Sequence, residues 1–185
     1  EADCIPRFTA LAALGLIRAL AGLGLQAELK WPNDVLLDGK KVAGVLVEAD
    51  WQGDALEALV VGMGVNVRPD SVPGPDQLRY PATSVMDALG NPVDRWELLG
   101  EILGEMRSLR ENLPSEKFLQ AWNQPLAFRG EWVGFRSPGG EGQAARVIRV
   151  LGVGSDGALI FENENGEADS ALAGEIMMTY NQPKD

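Results

Sequence analysis

The sequence contains no histidine and only one cysteine, Cys4. A single cysteine excludes an internal disulfide, and a zinc site would have to form without imidazole. Cys4 fits a reducing, cytoplasmic setting. Positive charge is also scarce: 16 Lys and Arg stand against 27 Asp and Glu, a formal net charge of −11. A surface that acidic repels phosphate backbones, so general nucleic-acid binding is disfavoured. The one long apolar stretch, residues 8–25, is interrupted by Arg18 and by glycines, and acidic residues precede it. It reads as a poor membrane span and a poor signal peptide, and no membrane role is expected. What remains is an ordinary globular composition, 45% hydrophobic and 23% charged over 185 residues. That is enough chain for one domain with a small appendage.

Residues 8–20, rich in Ala and Leu, predict a buried helix that the following glycines end. Residues 27–31 alternate with the two-residue rhythm of a strand, which Pro32 stops. Residues 35–37 resume an extended run, Asp38-Gly39 is a hairpin dipeptide, and residues 42–48 form the return strand. Residues 56–67 read as a third strand with a glycine-broken end. The expected arrangement is α+β, with adjacent antiparallel strands and the first helix packed on one face. Residues 68–80, rich in Pro, Gly and Asp, predict a loop. Three helices follow, over 84–89, 95–112 and 115–122. Asp94 with Glu97 forms the capping pattern of the second, and Ser115 is the N-cap of the third. From Phe128 onward, short runs of Val, Ile and Phe between Gly, Pro and Asp predict four or five strands of a small barrel. A boundary near Pro125 divides the chain into 1–124 and 125–185.

Three of the five lysines, Lys30, Lys40 and Lys41, fall within twelve residues. In so acidic a protein they make a local cationic spot. Asp34 and Lys41 flank the Asp38-Gly39 turn, which folds them back toward each other. An ammonium held near a carboxylate in a pocket suits the neutralisation of a phosphate or carboxylate ligand. Taken alone, such residues more often describe a solvated hairpin lysine and a core tryptophan at Trp31. Gly62-Met63-Gly64 looks like a fragment of a phosphate loop, but it lacks the third glycine and the helix that should follow.

The longer strings are more specific. LKWPNDVLLDGKKVAGVLVE, residues 29–48, closely resembles the hallmark segment of biotin–protein ligases, also called biotin–[acetyl-CoA carboxylase] ligases. VVGMGVNV (60–67), ATSVMDALG (82–90) and GEI (174–176) resemble further segments of that family in the same order. The resemblance implies a catalytic domain with a mixed or antiparallel sheet and packed helices, followed by an SH3-like small β-barrel. It implies that biotin and ATP give biotinyl-5′-AMP and pyrophosphate, after which a lysine of a biotin carboxyl carrier protein takes the biotin. By position, Lys41 corresponds to the family's essential lysine. Strand alternation sends Lys40 to the other face, and Lys30 only borders the site. Asp34 is implied to orient Lys41 or to help hold Mg²⁺. Asn33 and Asn66 would contact nucleotide or metal-bound water, and Gly44, Gly62 and Gly64 would let backbone approach the ligands, with tight strand packing the equal alternative. Trp31 would flank the adenine, with core packing the equal alternative. Homodimers are implied as well. Lipoate or octanoate transfer and a non-catalytic binding or dimerisation module are the rival readings.

The family's basic loop, of Gly-Arg-Gly-x-x-Gly type, closes over biotin and the adenylate. No stretch among the 29 residues before Lys30 fits it. The cluster Pro138-Gly139-Gly140-Glu141-Gly142 carries an acid in place of arginines. The catalytic fold is therefore expected to be N-terminally incomplete, and the isolated chain to make little or no biotinyl-AMP.

Overall fold

The computed structural model describes residues 5–78, 80–139 and 144–177. Cys4, Gly140 to Gly142 and the end of the last expected strand lie outside the described residues. Helix α1 (Ile5–Gly22) is apolar on nearly every face, and Ala10 to Ile17 are all buried. A helix of that composition belongs inside a protein or a bilayer. Here 56% of it is buried within the chain itself, against a sheet on one side and helix α3 (Arg95–Arg110) on the other. Gly15 sits at that helix crossing: a Cβ there would come within 2.5 Å of Met106 Cγ and 3.2 Å of the Ile102 carbonyl oxygen.

The sheet under α1 is a meander of β1 (Ala27–Lys30), β2 (Asp34–Leu37), β3 (Lys40–Gln52) and β4 (Ala55–Val65), in that spatial order. Every pair of these four strands is antiparallel, and parallel pairing enters as two isolated bridges, Leu29 with Leu126 and Lys41 with Ala82. Asp38 and Gly39 both take positive φ, 48° and 70°, as a two-residue turn matched to strand twist requires. β3 and β4 run further than the expected 42–48 and 56–67 at their shared end. Gly53-Asp54 closes them into a long hairpin with Gln52 opposite Ala55. A Gly-Asp pair between alternating residues is a hairpin signal that the sequence did carry.

Helices α2 (Val85–Leu89) and α4 (Glu116–Asn123) complete the first part. All three N-caps on these later helices are filled: Ser84 accepts from the Asp87 N–H, Ser115 from Phe118, and Asp94 from Trp96 and Glu97. These bonds satisfy donors that helix starts leave open.

A second antiparallel sheet contains β5 (Trp132–Arg136), β6 (Arg146–Val153), β7 (Leu159–Asn163), β8 (Ala168–Ala171) and β9 (Glu175–Met177), in the order β8-β7-β6-β5-β9. The two sheets share a continuous apolar cluster. The segment after α4 binds the β1 edge: the Leu29 N–H donates to the Pro125 carbonyl at 2.7 Å, and Ala127 donates back to Leu29 at 3.0 Å.

Candidate active site

One row of residues crosses the first sheet from edge to edge. Lys30 is opposite Asp34, Asp34 opposite Gly44, and Gly44 opposite Gly64. Two charged residues thus lie beside two positions with no side chain, which leaves bare backbone next to a charge cluster.

Lys41 joins this row through a β-bulge. From Asp34 opposite Gly44, regular alternation would put Lys41 with Ala43 on the helix-packed face. The register instead steps between Val35 and Leu36, so Ala43 faces Val35 and Lys41 faces Leu36. Val42 is the extra residue, and the shift brings Lys41 to the face of Asp34. Re-aiming a side chain is a common use of such bulges. The backbone of Lys41 is pinned from its other side: its N–H donates to Pro81 at 2.9 Å and its carbonyl accepts from Thr83 at 3.0 Å.

The outcome is a carboxylate with an ammonium on each oxygen. Lys41 Nζ lies 2.5 Å from Asp34 Oδ1, and Lys30 Nζ lies 3.3 Å from Asp34 Oδ2. Lys30 is 2% exposed and Asp34 is 8% exposed, whereas the Lys41 side chain keeps 40% of its surface open. The Lys30 ammonium also sits over the Tyr80 ring, 5.0 Å from its centroid.

Lys41, Gly44, Gly64, Asn66, Leu78 and Tyr80 line a cavity of about 270 Å³. A Cβ on Gly64 would meet nothing within 4 Å, and one on Gly44 would lie 3.3 Å from Lys41 Nζ. A larger cavity, about 850 Å³, lies elsewhere, between α1 and α3, and is lined by Arg18, Asp94, Glu97, Glu101 and Glu105. Its acidic wall is unsuited to a phosphate or carboxylate, so chemistry favours the smaller one.

The sequence-derived candidates divide. Lys41, Asp34, Gly44, Gly64 and Asn66 come together at or beside the cavity. Gly62, two residues from Gly64 and on the same face of β4, is exposed and does not line the cavity. The Asn33 amide is committed to structure, donating to the Val45 carbonyl at 2.7 Å. Asn66 also donates its amide to backbone, the Thr83 carbonyl at 3.2 Å, while lining the cavity. Trp31 requires a correction: it is 2% exposed, its indole N–H donates to the Gly157 carbonyl at 3.0 Å, and its ring packs against Phe135. Of the two roles expected for it, core packing is the one the geometry fits. Both Asp34 oxygens are held by ammonium groups, and no group of three or more His, Cys, Asp or Glu that could hold a metal ion occurs among the described residues. A Mg²⁺ ion here would rest on Asp34 and on the oxygens of the nucleotide itself. Tyr80 and Leu78 were missed, because the loop containing them signalled only irregularity.

An α+β scaffold that places a lysine on a small, glycine-floored cavity has the chemistry to hold an anion. Comparison gives the class. Residues 1–66 match the Biotin/lipoate A/B protein ligase family. The chain is 34% identical over 167 residues to the biotin–[acetyl-CoA-carboxylase] ligase of Paracoccus denitrificans, covering 84% of this chain and 66% of the relative. It is 30% identical over 168 residues to the bifunctional ligase/repressor BirA of Bacillus spizizenii, covering 87% of this chain and 50% of that protein. The structure of the biotin protein ligase of Aquifex aeolicus in complex with biotin and ATP superposes with a TM-score of 0.75 at 26% identity, covering 94% of this chain and 71% of that one. The apo form superposes at 0.76. The chain belongs to the biotin–protein ligase family. It spans about half the length of the BirA relatives it matches.

Proposed function

We propose that this chain carries the lysine-bearing part of an ATP-dependent biotin–protein ligase site. A biotin carboxylate oxygen attacks the α-phosphorus of ATP, the bond to the β-phosphate bridge breaks, and pyrophosphate leaves with biotinyl-5′-AMP formed. The amine of a carrier-protein lysine then attacks the acyl carbon, AMP departs, and the amine loses a proton. Each step crowds anionic oxygens together, so a fixed cation is the main need. Lys41 supplies it, oriented by Asp34, while Gly44 and Gly64 let the ligand lie against backbone. Asn66 is a polar contact on the cavity wall.

The observation that carries this reading is the Lys41 ammonium held on Asp34 at a cavity floored by two glycines. The Aquifex relative, which resembles the chain over most of its length, was solved with biotin and ATP. The present cavity, about 270 Å³, falls below the roughly 300–1,000 Å³ usual for small-molecule sites. The remaining length of the family would therefore complete the cage. The same reading takes 125–185 as the SH3-like small barrel, built on the second sheet, and 1–124 as the catalytic part. It assigns a cytoplasmic enzyme whose protein partner is a biotin carboxyl carrier, with a homodimer as its assembly.

The test is ATP–pyrophosphate exchange by a polypeptide of full family length, with biotin, lipoate or octanoate as the acid. Exchange with biotin alone supports the proposal. Exchange only with lipoate or octanoate moves the chain to the lipoate side of the family. No exchange with any acid makes it a binding module.

A further inference from the structure

Asp34 and Lys41 together are neutral, and a neutral pair attracts an anion poorly. The charge that makes the site cationic must come from elsewhere. Lys30 is the only other cation in contact with Asp34 among the described residues. It is 2% exposed, yet it does not line the cavity. A buried ammonium is costly unless paired and surrounded by compensating groups. Here it has one carboxylate oxygen at 3.3 Å and the face of Tyr80 at 5.0 Å, and Tyr80 is itself a wall of the cavity. Its pairing is the most deeply buried of the ion pairs among the described residues.

We propose that Lys30 is a positioning residue of the ligase site: it holds one oxygen of Asp34 and offsets its charge, so that Lys41 meets the cavity as a net cation. This deepens the proposed function and rests on it only for the identity of the anion. With Lys30 present the triad sums to one positive charge. Without it the whole field of a poorly solvated carboxylate falls on Lys41, whose amine becomes less available to any reagent entering the cavity. The row across the sheet explains the spacing, because Lys30 and Asp34 are facing residues on adjacent strands.

The experiment needs no substrate. The chain is treated at one fixed pH with a small amine-directed acyl reagent, and labelling of Lys41 is followed by peptide mass, with exposed Lys40 as internal reference. In Lys30→Met, Lys41 labelling relative to Lys40 is expected to slow by at least about threefold, since an unscreened neighbouring charge at this range carries that much coupling. Lys30→Arg, which keeps the charge, restores most of the rate. Phe118→Leu, a buried change in α4 outside the triad and the cavity lining, controls for general loosening and leaves the ratio unchanged. Wild-type labelling in a folded Lys30→Met chain, or an equal change in Phe118→Leu, overturns the proposal. Should Lys30→Met fail to fold by circular dichroism, Lys30→Arg decides. Labelling near the wild-type ratio then supports it, and slowing as large as threefold refutes it. Failure of adenylate formation would bear on the ligase reading and leave this coupling measurement intact.

Discussion

Lys41 reaches Asp34 only because β3 carries one residue more than β2 across from it. The 2.5 Å contact between ammonium and carboxylate depends on the register step between Val35 and Leu36. Without that step, the lysine would point into the apolar layer under α1. The bulge is therefore part of the site, although none of its own atoms needs to touch a ligand.

The first prediction concerns that lysine. In a full-length ligase carrying this segment, Lys41→Ala should lower biotin-dependent ATP–pyrophosphate exchange by about 10²–10³-fold, the usual effect of losing one electrostatic stabiliser of a transition state. Stability should change by less than about 1 kcal/mol, because the side chain is 40% exposed and Asp34 retains Lys30. Exchange at the wild-type rate would remove Lys41 from the mechanism.

Asp34→Ala should behave in the opposite way. It leaves the Lys30 ammonium buried without its carboxylate, and breaking such a pair costs about 3–5 kcal/mol. Urea denaturation should show this loss in the isolated chain. The double change Lys30→Met with Asp34→Ala should recover much of it, since no buried charge remains. Equal destabilisation in the single and double variants would contradict the account of a shared carboxylate.

Gly44 and Gly64 face each other on β3 and β4, but they should respond differently. A Cβ at Gly44 meets Lys41 Nζ at 3.3 Å and Asp34 Oδ1 at 3.6 Å, so Gly44→Val should displace the ion pair. At Gly64 a Cβ meets nothing, so Gly64→Val should leave the ion pair in place and only fill cavity space. Amine-labelling of Lys41 should change in Gly44→Val and stay constant in Gly64→Val. Both should weaken binding of a non-hydrolysable biotinyl-AMP mimic in the full-length protein. Unchanged labelling in Gly44→Val would mean that the pair has room the structure does not display.

Much of this architecture was legible in the sequence, for physical reasons that differ by element. The starts of α3 and α4 were readable because Asp94 and Ser115 act locally, on N–H groups two or three residues away. The turn at Asp38-Gly39 was readable because two successive positive φ values demand such residues. The site candidates Lys41 and Asp34 were legible through resemblance and through the folding-back of one hairpin. What the sequence hid was long-range. Nothing local shows that Trp31 finds Gly157 across 126 positions, or that Lys30 is buried under Tyr80. Asn33 read as a ligand contact because side-chain amides bind backbone and nucleotide equally well, and only the fold reveals that Val45 takes it.

Trp31 gives the last prediction, and magnitudes decide it. Its indole N–H satisfies a buried carbonyl in the loop before β7, where Gly157 takes φ of 85°. Trp31→Phe removes that donor while keeping an aromatic ring against Phe135. The cost should be about 1–3 kcal/mol in urea denaturation, the penalty for leaving one buried polar group unpaired. A tryptophan that stacked on adenine would instead show its loss in binding, since base–aromatic stacking contributes about 1–3 kcal/mol per base. Calorimetry of the full-length protein with the biotinyl-AMP mimic separates the two. For a core residue, affinity in Trp31→Phe stays within about twofold of wild type while stability falls. Tenfold weaker binding with unchanged stability would return Trp31 to the ligand.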